Sequence, residues 1–520
     1  MQSERHLNIL PPTLLLALSA LLSSALGVFR DHLLAKTFGA TNVQGIYNLD
    51  AYYAAFRIPD FLYTILILGS VSAAFIPIFT QYKKENNFKD AWEFSSVMLN
   101  VLFLAVASIS FIAFLFAPQV TKMVAAGFEP ESFALTVKLM RIMLLSPLIF
   151  TLSAIFISLQ DCFKTFFYRS LAPIFYNLGI IFAILYFGAK FGVVGVTWGV
   201  ILGAMLNLLI QIPALFQIGY KHVWSFDFKR PDVRKALTLM VPRVMALGMY
   251  QISQIFYTYV ASFLATGSIT ILYFANNLYS LPLAVIAVSF SITSFATFSE
   301  LATEPTTEPF TDEMGRVIQQ VLFLVFPATI GVLMLRNEII DTVLLSGKFT
   351  AHDAALTGQV LVIMIVSLFT HSLILLLTRG FYAYHNTKLP FYASLVGALV
   401  GAAFGYLLAI PFGYGVLGIA FAISLSNILV FLVLYVFLQK QLGREILDWF
   451  NVLKIVLASL LMGQAVYLAK FFLVYPETTA FKFAYLILVS VLGMLAYFIF
   501  AYMFNIPQRE SILAQIRRML

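Results

Sequence analysis

The chain has 520 residues, of which 61% are hydrophobic and 11% are charged. A soluble domain is typically about 45–50% apolar and about 25% charged, so this composition excludes a globular cytosolic enzyme. The net charge is +8, and the basic residues lie in short loops between apolar runs, which indicates cytoplasmic loops rather than a nucleic-acid surface.

Apolar runs of about 20 residues or more follow one another along the chain, and each is long enough to cross a bilayer. The runs occupy 11–36, 51–81, 93–117, 133–160, 168–189, 193–219, 236–264, 270–299, 316–336, 356–384, 389–410, 414–439, 449–473 and 481–504. We expect helices because a spanning segment must satisfy its own backbone hydrogen bonds. The sequence therefore predicts an all-α integral membrane protein with about fourteen transmembrane helices, the first of them retained rather than cleaved as a signal peptide.

Loop charge predicts the orientation of these helices. Basic loops such as 81–90, 161–170 and 221–235 alternate with poorly basic ones such as 38–50. By the positive-inside rule, both termini face the cytoplasm. The loop 300–316 is acidic yet falls on the cytoplasmic side, and we keep the orientation because acidic residues contribute little to the rule.

An internal repeat organises the chain. The segment FGVVGVTWGVILG (191–203) resembles YGVLGIAFAISLS (414–426), and GFEPESFALT (127–136) resembles GKFTAHDAALT (347–357). The matching positions differ by about 220 residues, which is six helices, so the two copies share one orientation and are related by an axis along the membrane normal.

The repeat predicts three parts in the chain. Two pseudo-symmetric six-helix lobes occupy 1–220 and 221–440, and a C-terminal helix pair with a cytoplasmic tail occupies 441–520. Two lobes with a cavity between them form a transporter architecture, in which the substrate site lies at the lobe interface.

Polar side chains inside the predicted spans are the candidate binding residues, because an ionisable group in hydrocarbon usually faces a bundle interior or a water-filled cavity. They concentrate in the first two helices of each repeat and would give a net cationic cavity that suits a phosphate or pyrophosphate head group. The alternative is snorkelling or local ion pairing, as in Arg30–Asp31 or Arg57–Asp60. The candidates are Arg30, Asp50, Arg57, Arg243, Asn276, Asn277 and Arg379.

Catalytic and metal-binding patterns are missing from the sequence. The six histidines are scattered without a His-Glu-x-x-His motif, Gly347-Lys348 lacks the upstream glycine of a P-loop, and the single Cys162 excludes disulfides. We therefore expect a non-enzymatic protein without a cofactor, whose transport energy comes from gradients or from substrate consumption.

Several segments resemble the MurJ (MviN) family of lipid II flippases, within the multidrug/oligosaccharidyl-lipid/polysaccharide exporter superfamily. They are LGVFRDHLLAKTFGA (26–40), DAYYAAFRIPDF (50–61), GSVSAAFIPIFTQYKK (69–84), the stretch 251–285, SGKFTAHDA (346–354) and RGFYAYHNTKLP (379–390). The resemblance implies a bacterial cytoplasmic-membrane protein that exports the undecaprenyl-pyrophosphate-linked peptidoglycan precursor by alternating access. It also implies coupling to the membrane potential or to a monovalent cation and a lipid-tail groove at the last two helices. We expect a monomer that contacts membrane lipids and no nucleic acid.

The chain departs from the family pattern at several charged positions. Arg30 and Asp50 match it, whereas Ser24, Tyr63 and the pair Asn276-Asn277 stand where the family carries charged residues. The alternatives are a flippase for another polyprenyl-linked oligosaccharide or a multidrug exporter of the same superfamily. A membrane-embedded glycosyltransferase would need catalytic carboxylates or a large outward loop. A non-transporting scaffold is a third alternative, and no feature of the sequence favours it.

Overall fold

The computed structural model describes residues 12–41, 45–66 and 70–510, and every regular element in these ranges is helical. The described residues fall into two compact units. Unit 1 comprises the chain up to Thr270 together with Ser346–Phe349, and unit 2 comprises Ile271–Leu345 and Thr350 onwards.

Unit 1 contains ten α-helices and a 3₁₀ turn at Gly45–Tyr47. The helices are α1 (Pro12–Phe38), α2 (Leu49–Leu66), α3 (Ser70–Lys84), α4 (Phe88–Leu115), α5 (Ala117–Ala125), α6 (Pro130–Met143), α7 (Ser146–Phe163), α8 (Phe166–Leu209), α9 (Ile212–Gln217) and α10 (Pro231–Ala261).

The next helix, α11 (Ser268–Pro282), begins in unit 1 and continues into unit 2. A π-helical segment, Leu283–Val288, joins it to α12. The remaining helices are α12 (Ser289–Leu301), α13 (Glu308–Val343), α14 (Ala351–Ile365), α15 (Leu368–Ala383), α16 (Lys388–Ala409), α17 (Gly415–Leu442), α18 (Trp449–Phe472) and α19 (Thr479–Met503).

The helices have the length and composition of membrane spans. Among the described residues, 9 helices are long and apolar enough to cross a membrane, or 10 if the bent pair α14–α15 is one span. One of them, Phe166–Gln217, has 52 residues, which is about 78 Å of helix and more than twice the hydrocarbon thickness of a bilayer. It covers two of the predicted apolar runs. An all-α membrane protein is thus confirmed, and the number fourteen stays a prediction that is compatible with this helix set.

The long helix α8 bends at Gly192. This residue has φ 61° and ψ −149°, a backbone conformation that side chains with a Cβ rarely adopt. A Cβ at Gly192 would lie 2.1 Å from the carbonyl oxygen of Ile46. Glycine therefore allows both the bend and the close approach of the Gly45–Tyr47 turn.

Aromatic and aliphatic side chains form the core of each unit. In unit 1, Phe75 and Phe79 of α3 pack on Phe94 of α4 and on Phe163 of α7. In unit 2, the C-terminal helix pair α18–α19 packs on α13, and the hydroxyl of Tyr497 donates to the carbonyl oxygen of Phe323 at 2.7 Å.

The boundary between the compact units differs from the predicted lobe boundary. Helix α10, the first helix of the second repeat, lies in unit 1 because it packs along α2 and α3. The lobes 1–220 and 221–440 describe a symmetry of the sequence, and they stay a prediction about the structure.

Candidate functional site

Arg30 is anchored inside α1 by two neighbours. Its Nε and Nη2 atoms donate to Oδ1 of Asp31 at 3.2 Å and 2.9 Å, and Nη1 donates to Oδ1 of Asn177 on α8 at 3.2 Å. The side chain is 16% exposed. Asn177 is oriented in turn by donating to Ser23 and to the carbonyl oxygen of Pro173. The ion pair that the sequence left open therefore exists, and it fixes the plane of the guanidinium.

Asp50 caps the N-terminus of α11. Its carboxylate accepts hydrogen bonds from the backbone N–H of Gly267 at 2.6 Å and from the backbone N–H and hydroxyl of Thr270 at 2.7 Å and 2.6 Å. The residue is 3% exposed. A carboxylate at a helix N-terminus is stabilised by the unpaired N–H groups and by the helix dipole. In this conformation the side chain joins the start of α2 to the start of α11.

Arg57 takes part in a side-chain hydrogen bond that joins α2 to α10, and Gln251 takes part in another. Its Nε donates to Oγ1 of Thr258 at 2.7 Å, and the side-chain amide of Gln251 donates to Oγ1 of Thr64 at 3.0 Å. Arg57 and Thr64, like Gln251 and Thr258, are seven residues apart and so lie on one helix face. Sequence reasoning missed Thr64 and Thr258, although this shared spacing could have revealed them.

The sequence candidate Arg243 lies in α10, but its side chain is outside the described residues.

Three sequence candidates lie in unit 2. Asn276 and Asn277 are half-buried on α11, and the carbonyl oxygen of Asn277 accepts from the hydroxyl of Ser280. Arg379 of α15 donates through Nε to the hydroxyl of Ser291 at 3.3 Å, and its guanidinium lies 5.2 Å from the ring centroid of Phe295.

A histidine on the same helix makes a second polar contact in unit 2. Nδ1 of His371 is 2.9 Å from the hydroxyl of Tyr279 on α11. His371 and Arg379 are eight residues apart, close to one face of α15. The sequence could not pair His371 with Tyr279, because the two residues are 92 positions apart.

Unit 1 contains two partly buried guanidinium groups, those of Arg30 on α1 and Arg57 on α2. A guanidinium recognises phosphate oxygens with paired N–H donors, so both residues stay candidates for binding an anionic head group. Among the described residues, no group of three or more His, Cys, Asp or Glu side chains could hold a metal ion.

Comparison with known proteins identifies the family. The family model described as "Lipid II flippase MurJ" matches residues 34–492. A probable lipid II flippase MurJ of Thermotoga maritima is 29% identical over 501 residues, covering 96% of this chain and 98% of the relative. A probable lipid II flippase MurJ of Buchnera aphidicola is 28% identical over 462 residues, covering 88% and 89%.

Solved structures agree with this assignment. A lipid II flippase MurJ in an inward closed conformation superposes with a TM-score of 0.78 at 26% identity, covering 96% of this chain and 100% of that one. A multidrug resistance MATE transporter in an inward-facing conformation has a TM-score of 0.65 at 12% identity, covering 81% and 94%, and this likeness concerns the fold alone. The chain belongs to the lipid II flippase MurJ family.

Proposed function

We propose that this protein moves lipid II, the undecaprenyl-pyrophosphate-linked peptidoglycan precursor, from the inner to the outer leaflet of the bacterial cytoplasmic membrane. The observation that carries the proposal is the family match, which covers residues 34–492. The protein acts as a transporter without chemical change to its substrate, as a monomer whose two termini face the cytoplasm.

The pyrophosphate is the part of the substrate that Arg30 would hold. Asp31 and Asn177 fix the guanidinium from the protein side, so little side-chain freedom remains to be lost when a ligand binds. Arg57 adds a second cation, anchored by Thr258. The other proposed contributors are Asp50, Arg243, Asn276, Asn277 and Arg379.

Alternating access moves the bound head group across the membrane, and an inside-negative membrane potential favours this direction for an anion. Each elementary charge that crosses the field gains about 2.3 kcal/mol per 100 mV. The membrane potential therefore drives export by acting on the negative charge of the pyrophosphate. A coupling monovalent cation would add to this driving force.

Complementation tests the function directly. A bacterium depleted of its own lipid II flippase would express this chain, and the amount of lipid II accessible from outside the cell would be measured together with growth. We expect both to be restored. A chain that reaches the membrane at normal abundance without restoring externally accessible lipid II would contradict the substrate assignment, and transport of another polyprenyl-linked oligosaccharide would then be assayed in the same membranes.

A further inference from the structure

Two loops of unit 1 pack on the ends of α10 and α1 through glycines. In the first contact, the backbone N–H of Gly127 donates to the hydroxyl of Ser262 at 3.0 Å. A Cβ at Gly127 would lie 2.6 Å from the carbonyl oxygen of Ser262 and 2.6 Å from the backbone nitrogen of Phe263. We call this contact, formed by Gly127 with Ser262 and Phe263, the first latch.

The second contact involves Ser346–Phe349 and the end of α1, and we call it the second latch. The backbone N–H of Lys348 donates to the carbonyl oxygen of Lys36 at 3.0 Å. A Cβ at Gly347 would lie 2.3 Å from that same oxygen, and a Cβ at Gly39 would lie 2.6 Å from the carbonyl oxygen of Lys348. In both latches, a missing side chain lets two backbones touch.

The internal repeat relates the two latches. Gly127 and Gly347 begin the matching segments GFEPESFALT and GKFTAHDAALT, and α1 and α10 are the first helices of the two repeats. In each latch, a loop of one repeat packs on the first helix of the other repeat. The exchange is reciprocal, as an axis along the membrane normal requires. Both latches lie on the side opposite the basic loops, which is the outward side in the proposed orientation.

We propose that Gly127 and Gly347 are positioning residues of the transport cycle, and that the two latches form one seal that separates when the substrate leaves on the outward side. This inference rests on the proposed function. Alternating access moves one repeat against the other, so each loop has to leave the helix end of the other repeat on which it packs. Each latch joins a loop to a helix end by one hydrogen bond from a backbone N–H group, so only one hydrogen bond has to break at each latch when the loop moves away.

The test measures whether weakening one latch exposes the other. Cys162 is first replaced by serine, and a reporter cysteine is then placed next to the first latch (Ala261→Cys) or in the second latch (Ser346→Cys). Ala261 is 2% exposed, and the hydroxyl oxygen of Ser346 is buried. Gly347→Ala is combined with the Ala261→Cys reporter, and Gly127→Ala with the Ser346→Cys reporter. Intact cells are treated with a membrane-impermeant maleimide.

We expect each glycine variant to raise the labelling rate of the reporter in the opposite latch by about five- to thirtyfold, the range over which a small free-energy change shifts a two-state equilibrium. Gly413→Ala is the control for Gly347→Ala, because both glycines have a positive φ (72° and 57°) but a Cβ at Gly413 meets nothing within 4 Å. Gly331→Ala, also with open space, is the control for Gly127→Ala.

The glycine variants add a methyl group and could misfold, so a second kind of variant removes atoms instead of adding them. Ser262→Ala removes the hydrogen-bond acceptor of Gly127 and should raise labelling of the Ser346→Cys reporter in the same direction, by a smaller factor. The seal is overturned if the reporters react no faster than in the Gly413→Ala and Gly331→Ala controls, or if Ser262→Ala leaves the rate unchanged. Labelling needs no lipid II, so a failed complementation would refute the proposed function without deciding this result.

Discussion

At the scale of single residues, each charged side chain that the sequence selected and the structure describes has a specific partner. Arg30 could be predicted to pair with Asp31 because the two are adjacent. Its second partner, Asn177, could not be predicted, since the contact joins α1 to α8 across a long stretch of sequence. The cap that Asp50 makes on α11 depends in the same way on tertiary structure, which helix periodicity does not encode.

Arg30→Ala should abolish the growth that the chain supports in flippase-depleted cells while leaving its membrane abundance unchanged, because the substrate loses its guanidinium ligand. Arg30→Lys should also be impaired, since a point charge cannot reproduce two parallel N–H donors. Growth and quantitative immunoblotting of membranes measure both effects. Normal growth of Arg30→Ala at normal abundance would remove Arg30 from the site.

The matched control is the double variant with Asp31→Ala. Asp31 is 5% exposed, so the double variant tests whether Arg30 serves only to balance this buried carboxylate. If Arg30 had a structural role alone, Arg30→Ala would lower abundance and the double variant would restore both abundance and growth. Restored abundance without growth would separate the two roles.

At the scale of elements, the sequence predicts where helices run better than where they bend. Within the described residues, the predicted apolar runs fall largely on helical segments. The bend at Gly192 and the π-helical segment after Pro282 were not predicted, because each depends on what packs beside the helix. The turn Gly45–Tyr47 lies against Gly192, and the sequence around Gly192 contains no pattern that predicts this contact.

Gly192→Ala should destabilise unit 1 by about 1–3 kcal/mol or more, because the new methyl group meets a carbonyl oxygen and the residue keeps a strained backbone conformation. The midpoint of thermal unfolding in detergent would measure the loss. Gly219→Ala is the control, since Gly219 has φ 70° with nothing within 4 Å of its Cβ. Equal losses in both variants would show that the backbone angle, and not the contact with Ile46, determines the effect.

An ionic network joins the start of α10, just before the predicted run 236–264, to α3 and α4. Arg230 bonds to Asp232 at 2.9 Å and to Glu93 at 2.9 Å, and the hydroxyl of Tyr82 donates to Asp232 at 2.9 Å. Burial alone would raise the pKa of Asp232, but the hydrogen bonds from Arg230, Tyr82 and the Val233 backbone hold it below its ordinary value of 3.8.

A lowered carboxyl pKa means that Asp232 stabilises the fold fully above pH 3.8 and that this contribution is lost as the pH falls below that value towards the folded-state pKa. Asp232→Asn should therefore lower stability by about 1–3 kcal/mol at neutral pH and by progressively less in acid. Unfolding midpoints of the unchanged protein and of the Asp232→Asn variant, measured from pH 7 down to below pH 3.8, would give the difference in stability. A constant difference across this range would contradict the assignment to the Asp232 charge.

At the scale of the whole molecule, loop charge predicts which ends of the helices are cytoplasmic. Glu445, in the exposed loop between α17 and α18, should be inside. In the Cys162→Ser background, Glu445→Cys should react with an impermeant maleimide after permeabilisation and not in intact cells, whereas Glu477→Cys, between α18 and α19, should react in intact cells. The reverse pattern would overturn the orientation and, with it, the outward placement of both latches.

The sequence repeat predicts which segments correspond, and this correspondence stays a prediction. It does not predict how the chain divides into compact units. A sequence repeat records ancestry and symmetry, whereas compactness depends on which helix faces pack together. Helix α10 opens the second repeat and still packs along α2 and α3 of the first. The same distinction applies to the latches. Gly127 and Gly347 could be aligned from the sequence, but the backbone groups that each glycine contacts could not be predicted from it.

The position of Ser346–Phe349 within unit 1 also determines how late in synthesis unit 1 can be completed. The residues before and after this segment belong to unit 2, so the end of α1 gains its partner Lys348 after about 310 further residues have been made, which takes about 15–60 s at ribosomal speed. During that interval the carbonyl oxygen of Lys36 has no Lys348 to accept from. The N-terminal half therefore lies in the membrane without this contact until translation passes residue 349.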